Sequence, residues 1–257
     1  MKHKIKLMLS FAKRDFQERY VGTGLGQFWY ILSPLIMIFI YTVIFSDFMK
    51  MKLDIVDSKY AYSIYLVPGL LAWTSFSTTI SRLNNSFFDK ANLIKKINIP
   101  MYIFHVSILL TELFIFFISF LLALGFLLII GHKITFVFLL LIPIMILQMI
   151  FSFSLGVIFS LFSPFFKDIR EFIPIFLQLW FWMTPIIYMR EMIENKYPFL
   201  LIYNPFSYFS SIYQDIFLFS KVPSIDKILI ISSMSFLFLL LAMYLYKKMI
   251  STIKDII

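Results

Sequence analysis

The sequence predicts an all-α membrane protein with six transmembrane helices, an N-terminal amphipathic interface helix and a broken external hairpin before the last span. Three observations carry that reading. Of 257 residues, 61% are hydrophobic and 14% charged, whereas soluble domains carry about 25% charge. Uncharged runs of about 20 residues, long enough to cross a hydrocarbon core, recur along the chain. Lys and Arg divide unequally between the connections that those runs leave.

The elements follow in order within a single membrane domain, residues 1–257. The basic start, Met1–Lys6, lacks an adjoining apolar core and a small-residue cleavage site, so no cleavable signal peptide is expected there. Over Ile5–Tyr20, Ile5, Met8, Leu9, Ala12, Phe16 and Tyr20 recur at helical spacing opposite Lys6, Ser10, Lys13 and Gln17. Such a basic amphipathic helix suits the headgroup layer. Spans are expected over 28–46, 60–81, 105–131, 136–162, 172–189 and 228–246. The run Tyr197–Gln214 is also uncharged, but Pro198, Asn204 and Pro205 would break its backbone. Broken backbone at membrane depth survives only where protein or water shields it. Residues 197–219 therefore read as external re-entrant or surface-lying helices.

Orientation follows from the cations. Fifteen Lys and Arg fall in the N-terminal segment, the Arg82–Glu112 connection, the Lys167–Glu171 turn and the C-terminal segment, against eight on the other side. The richer side is expected to be cytoplasmic, with both termini there.

Several chemistries are excluded. There is no cysteine, hence no disulfide or thiolate chemistry, and His3, His105 and His132 are scattered. None of the seven glycines begins Gly-Lys-Ser/Thr, so there is no phosphate-binding loop of the Walker A type. The stretch VGTGLGQ (Val21–Gln27) has the wrong spacing for a dinucleotide fingerprint and reads as a joint before the first span. With no carboxylate pair or nucleophile triad in the pattern, the chain is expected not to be an enzyme by itself. The 33 Phe accompany many Ile, Lys and Asn, as an AT-rich genome would give.

Candidate functional residues share the cytoplasmic face. Asp89–Ile97 can make two helical turns, and Phe87, Phe88, Leu93 and Ile94 are apolar residues outside the bilayer, suited to a protein contact or to packing on the helix bases. Lys167, Asp168, Arg170 and Glu171 alternate in sign between two uncharged runs, as a solvated turn or a docking surface would. Glu112 near the start of a span reads as tied to a helix end or a neighbouring Arg rather than as an ion relay. Trp73, Trp180, Trp182, Tyr188, Tyr203 and Tyr208 lie toward the outer halves of their segments, where interface belts form and where sugar rings could stack.

Three stretches, RDFQERYVGTGLGQFWYILSPLIMIFIYTVIF (Arg14–Phe45), FFKDIREF (Phe165–Phe172) and TPIIY…YNP (Thr184–Tyr188, Tyr203–Pro205), resemble the membrane subunits of bacterial ABC-2-type polysaccharide exporters. The resemblance is closest to the O-antigen permease branch, with capsule and teichoic-acid permeases as cousins. It spans nearly the whole chain and identifies the family better than the substrate. It implies the type V exporter-like fold, and a homodimer working with two copies of a separate ATP-binding subunit. It implies no cofactor on this chain, ATP and Mg on the partner subunit, and no nucleic acid. The cargo it implies is a lipid-linked polysaccharide crossing the bacterial inner membrane. Asp89, Lys90, Asn92, Leu93, Ile94, Lys95 and Lys96 would match a first coupling helix to the ATPase, and Phe166, Lys167, Asp168, Ile169, Arg170 and Glu171 a second. Trp29, Tyr30, Trp73, Trp180, Trp182, Tyr188, Tyr203, Asn204 and Pro205 would line the substrate path or gate. Two other classes stay in view. A secondary transporter should show paired broken helices, and only one broken segment is visible; a membrane glycosyltransferase should show a carboxylate cluster, and none stands in the sequence.

Overall fold

The computed structural model describes residues 2–48, 59–96, 99–194 and 196–256. The cations Lys50 and Lys52, and Ile97 of the expected coupling helix, lie outside the described residues, as does the side chain of Lys96. Among the described residues every regular element is helical: α1 (Lys2–Glu18), α2 (Trp29–Thr42), α3 (Ala61–Asp89), α4 (Ala91–Lys96), α5 (Tyr102–Ile129), α6 (Leu141–Phe162), α7 (Asp168–Trp182), α8 (Arg190–Glu194), α9 (Pro198–Ile202), α10 (Pro205–Phe219) and α11 (Ile225–Ile256). Short 3-10 turns lead into α2 and α6, and α2 widens into a π-helix over Val43–Phe48.

Among the described residues four helices are both long and apolar enough to cross a membrane: Gly26–Ser46, Tyr102–Ile129, Phe136–Phe162 and Ile225–Ile253. They coincide with four of the six expected segments. The other two differ for separate reasons. At 29 residues α3 is long enough, but Ser, Thr and Asn recur along it and most of its side chains are buried. Neighbouring helices, rather than lipid, surround it, so its composition need not be uniformly apolar. By contrast α7 has 15 residues. At 1.5 Å per residue that is about 22 Å, short of the ~30 Å hydrocarbon core. Pro185 sets its limit, because the residue before a proline is pushed out of the helical region.

The bundle is organised around α3, which packs against α2, α5, α6, α7 and α10, while α11 lies along α6 and α1 lies along α5. Two glycines permit the closest approaches. A Cβ on Gly156 of α6 would stand 2.6 Å from Leu83 Cδ1 and 2.8 Å from its Cβ, so only glycine lets α6 cross α3 at that depth. Gly69 of α3 likewise faces Ile186, Ser210 and Gln214, where a Cβ would meet atoms at 3.3–3.4 Å.

Candidate functional site

At the α1 end of the bundle, α3 runs past the expected boundary at Ser81 to Asp89, and α4 follows after the single residue Lys90. The turn between α6 and α7 comes to the same place. The guanidinium of Arg170 lies 5.5 Å from the ring centroid of Phe88, and the Ser163 hydroxyl donates to Asn84 Oδ1 on α3. The second expected coupling segment thus reaches the end of α3, immediately before the first. Asp89, Asn92, Lys95, Phe166, Lys167, Asp168, Arg170 and Glu171 are exposed, while Lys90, Leu93, Ile94 and Ile169 are half-buried. Phe87, one of the apolar residues weighed as a partner contact, is instead buried with Met101, Val157, Leu161, Ala242 and Ile253, and Ile94 packs against that cluster. Asp168 and Glu171 occupy the first turn of α7, where unpaired backbone N–H groups favour negative charge. Part of the alternating charge therefore serves the helix start.

Beside these segments lies a buried ion network. The Glu112 side chain is 3% exposed; its Oε1 accepts from Arg19 Nη1 at 2.9 Å and from Arg82 Nη1 at 2.5 Å. Arg82 Nη2 donates to both carboxylate oxygens of Asp15 at 2.7 Å. Asp15 is in the last turn of α1, Arg19 just beyond it, Arg82 on α3 and Glu112 on α5. Two cations and two anions cancel, which is the condition for holding such groups away from water. The Arg82 guanidinium, within α3, is thus compensated on both sides, by Glu112 and by Asp15. The expectation that Glu112 is tied to a neighbouring Arg matches this geometry. A second link joins α1 to the residue before α4: Lys90 Nζ stands 3.6 Å from Glu18, whose carboxyl is held below the usual range chiefly by its hydrogen bond from Arg14. Between α1, α4 and α5 lies a cleft of about 350 Å³, lined by Arg14, Asp89, Asn92, Leu93 and Phe104 among others.

The opposite end holds the bend after α7, where lost helical hydrogen bonds are replaced from α3, α9–α10 and the bend itself. Asn204 Nδ2 donates to Met183 O (3.1 Å) and Thr184 Oγ1 (2.9 Å), while its Oδ1 accepts from Trp180 Nε1 (2.7 Å) and from the backbone of Phe206 (3.0 Å). Gln214 Nε2 and Ser210 Oγ donate to Pro185 O, at 3.1 and 3.4 Å. Tyr62 donates to Ile187 O, Tyr65 to Tyr188 O and Tyr188 to Trp182 O. The freed polar groups of the bend named here thereby find partners within the protein.

The expected path residues divide. Trp73, 7% exposed, packs edge-on against Phe206, and with Phe76, Trp180 and Phe181, in a buried aromatic cluster. Tyr30 is buried, its hydroxyl donating to Phe16 O at 2.7 Å, and Trp29 is half-buried beside it. Asn204 is buried as the N-cap of α10, Pro205 is half-buried at its first turn, and Tyr188 is half-buried in the bend. Only Trp182 and Tyr203 stand open, Tyr203 at 82% exposure. Among the described residues no group of three His, Asp or Glu could hold a metal ion.

Residues 6–218 match the ABC-2 type transporter family. The chain belongs to that family. Among its relatives are two O-antigen export system permease proteins RfbA of Klebsiella pneumoniae. One is 27% identical over 244 residues, 95% of this chain and 92% of the relative; the other is 26% identical over 213 residues, 82% of this chain and 80% of the relative. An O-antigen export system permease protein RfbA of Myxococcus xanthus is 25% identical over 244 residues, covering 94% and 92%. The resemblance seen in the sequence is therefore to the family that the chain belongs to.

Sequence reasoning missed three parts of this ABC-2 permease. Asp15 falls on the same half-buried face of α1 as Met8, Ala12 and Phe16, and nothing local marks Arg82 as its partner. Tyr62, Tyr65 and Gln214 serve backbone carbonyls more than a hundred residues, or 29 residues, away. Ile253 lies beyond the expected end of the last span. Its signal was legible: Ala242, Leu245, Tyr246, Met249, Ile250 and Ile253 continue the apolar stripe at helical spacing.

Proposed function

We propose that this chain is the membrane-spanning permease subunit of an ATP-driven exporter. It works as a homodimer with two copies of a separate ATP-binding subunit and moves lipid-linked O-antigen polysaccharide across the bacterial inner membrane. In this reading α2, α3, α5, α6, α7 and α11 are six spans, α7 completing its crossing through the bend. Both termini are cytoplasmic, and α1 lies in the headgroup layer. Twelve spans around a twofold axis can surround a polymer-sized path that six cannot easily enclose.

The observation that carries the reading is the meeting of the end of α3, directly before α4, with the start of α7 through Phe88 and Arg170. Two short segments from different spans present exposed charges of both signs on one surface, as a surface receiving a partner's movement would. Family membership and the relatives' names support the transport class and the cargo.

Purified in lipid, the chain should hydrolyse no ATP above background, and hydrolysis should appear when its ATP-binding subunit is co-expressed. Deleting the gene should strip O-antigen from the cell surface while the lipid-linked polymer accumulates inside. Robust hydrolysis by the pure chain would overturn the class. Loss of capsule or teichoic acid with O-antigen intact would overturn the cargo.

A further inference from the structure

The end of α11 behaves unlike a helix that has merely left a membrane. Lys247, Lys248, Ser251 and Thr252 are exposed, but Ile253 on the other face is 0% exposed. Ala242, Leu245, Tyr246, Met249, Ile250 and Ile253 form one stripe, and all six belong to or pack against a cluster separate from the main core. The rest of that cluster comes from Phe87 of α3, Met101 before α5, Phe153, Val157, Ile158 and Leu161 of α6, and Ile94 of α4. His105 of α5 closes its upper edge. Its Nε2 is 3.0 Å from Ser86 Oγ and 3.4 Å from Ser160 Oγ, and its ring stands edge-on to Phe87 at 5.0 Å and Tyr246 at 6.1 Å. The cluster sits where α3 hands over to α4 and where α6 hands over to the turn before α7.

We infer that the end of α11 is a coupling element: Ile253 completes an apolar hub that holds α4 from behind and braces the bases of both coupling segments. This rests on the proposed function, in which α4 receives the ATP-binding subunit's movement. A six-residue helix has little stability of its own. The hub supplies the rigid backing without which α4 would yield to a push rather than pass it on. Ile253 is a positioning residue, acting through Ile94 and its neighbours.

The test introduces Ile253→Asp into the full-length chain. Amide exchange of residues 91–96, measured on the permease alone, should rise about tenfold as the local opening of α4 becomes easier. Recovery of the ATP-binding subunit with the permease should fall about fivefold or more. Thr252→Asp, on the exposed side of the same turn, and Ile253→Val, which keeps the apolar contact, should leave both readings at wild-type level. Unchanged exchange in Ile253→Asp, or an equal rise in Thr252→Asp, overturns the inference. If Ile253→Asp fails to insert, Ile253→Ala is read against the same two outcomes. Because exchange needs no partner, failure of the wild-type chain to bind an ATP-binding subunit would sink the proposed function and leave this reading to its own result.

Discussion

Replacing Arg82 with alanine removes three hydrogen bonds at once, one to Glu112 and two to Asp15. Arg19 remains on Glu112, so that carboxylate keeps one partner. Asp15, its side chain 11% exposed, loses both bonds that Arg82 gives it. The site changes from neutral to one net negative charge away from water. Breaking a buried pair from one side costs about 3–5 kcal/mol, because the remaining charge is left uncompensated. For a chain of this size each kcal/mol moves Tm by about 2–4 °C, so the expected fall is about 6–20 °C. Arg82→Lys keeps the charge but loses the planar fork that reaches two carboxylates together, and should fall in between. The double variant Arg82→Ala/Glu112→Ala should lose less than the sum of the single losses, with an interaction of about 0.5–3 kcal/mol. The assay is thermal loss of the monodisperse species in detergent, followed by fluorescence-detected size exclusion. An Arg82→Ala Tm within about 2 °C of wild type, less than 1 kcal/mol on that scale, would refute the reasoning.

Gly156→Ala should destabilise the chain by about 1–3 kcal/mol through the clash with Leu83, and the same Tm assay reads it. Asn204→Ala removes the N-cap of α10 and leaves Trp180 Nε1 and Met183 O without a partner; a loss of about 2–4 kcal/mol is expected from one cap and several buried hydrogen bonds. A cysteine at exposed Tyr203 should react with impermeant reagents from outside the cell, whereas one at buried Ser207 should react slowly, and labelling of residue 203 only from the cytoplasm would overturn the six-span arrangement. Reversing Lys167 should weaken association with the ATP-binding subunit, measured by co-purification, because it neither makes the Phe88 contact of Arg170 nor supplies the negative charge that Asp168 gives the start of α7.

What could be read from the sequence depended on whether a residue's type reports its surroundings. For α2, α5, α6 and α11 it does, because a helix facing lipid is apolar almost all round and its length is fixed by the bilayer. In α3 that logic weakens: Ser75, Thr79, Asn84 and Ser86 are buried against other helices, where the sequence alone cannot separate a crossing from a hydrophilic connector. Glu112 announced its need for a cation, since an unpaired carboxylate there would be too costly, but the donors come from 30 and 93 residues away. Tryptophan was the least informative signal. Its apolar body and single N–H suit an interface belt, a sugar platform and a core alike, and Trp73 and Trp180 proved to be packed in the aromatic cluster. Carbonyl directions are not written in side-chain types at all, so the expected span over 172–189 ran straight through Pro185 and the bend.

The stapled bend also sets a schedule for biosynthesis. The donors from α3, Tyr62 and Tyr65, are made well over a hundred residues before the carbonyls they will satisfy. Those from Asn204, Ser210 and Gln214 are made 21, 25 and 29 residues after theirs. At about 5–20 residues per second, Pro185 O waits roughly one to six seconds for Gln214. Met183 O and Pro185 O, in the bend after α7, depend on water until those donors exist, because hydrocarbon cannot satisfy them. A chain ending before Asn204 would lack all three later donors, so the bend can close only once α10 has been added.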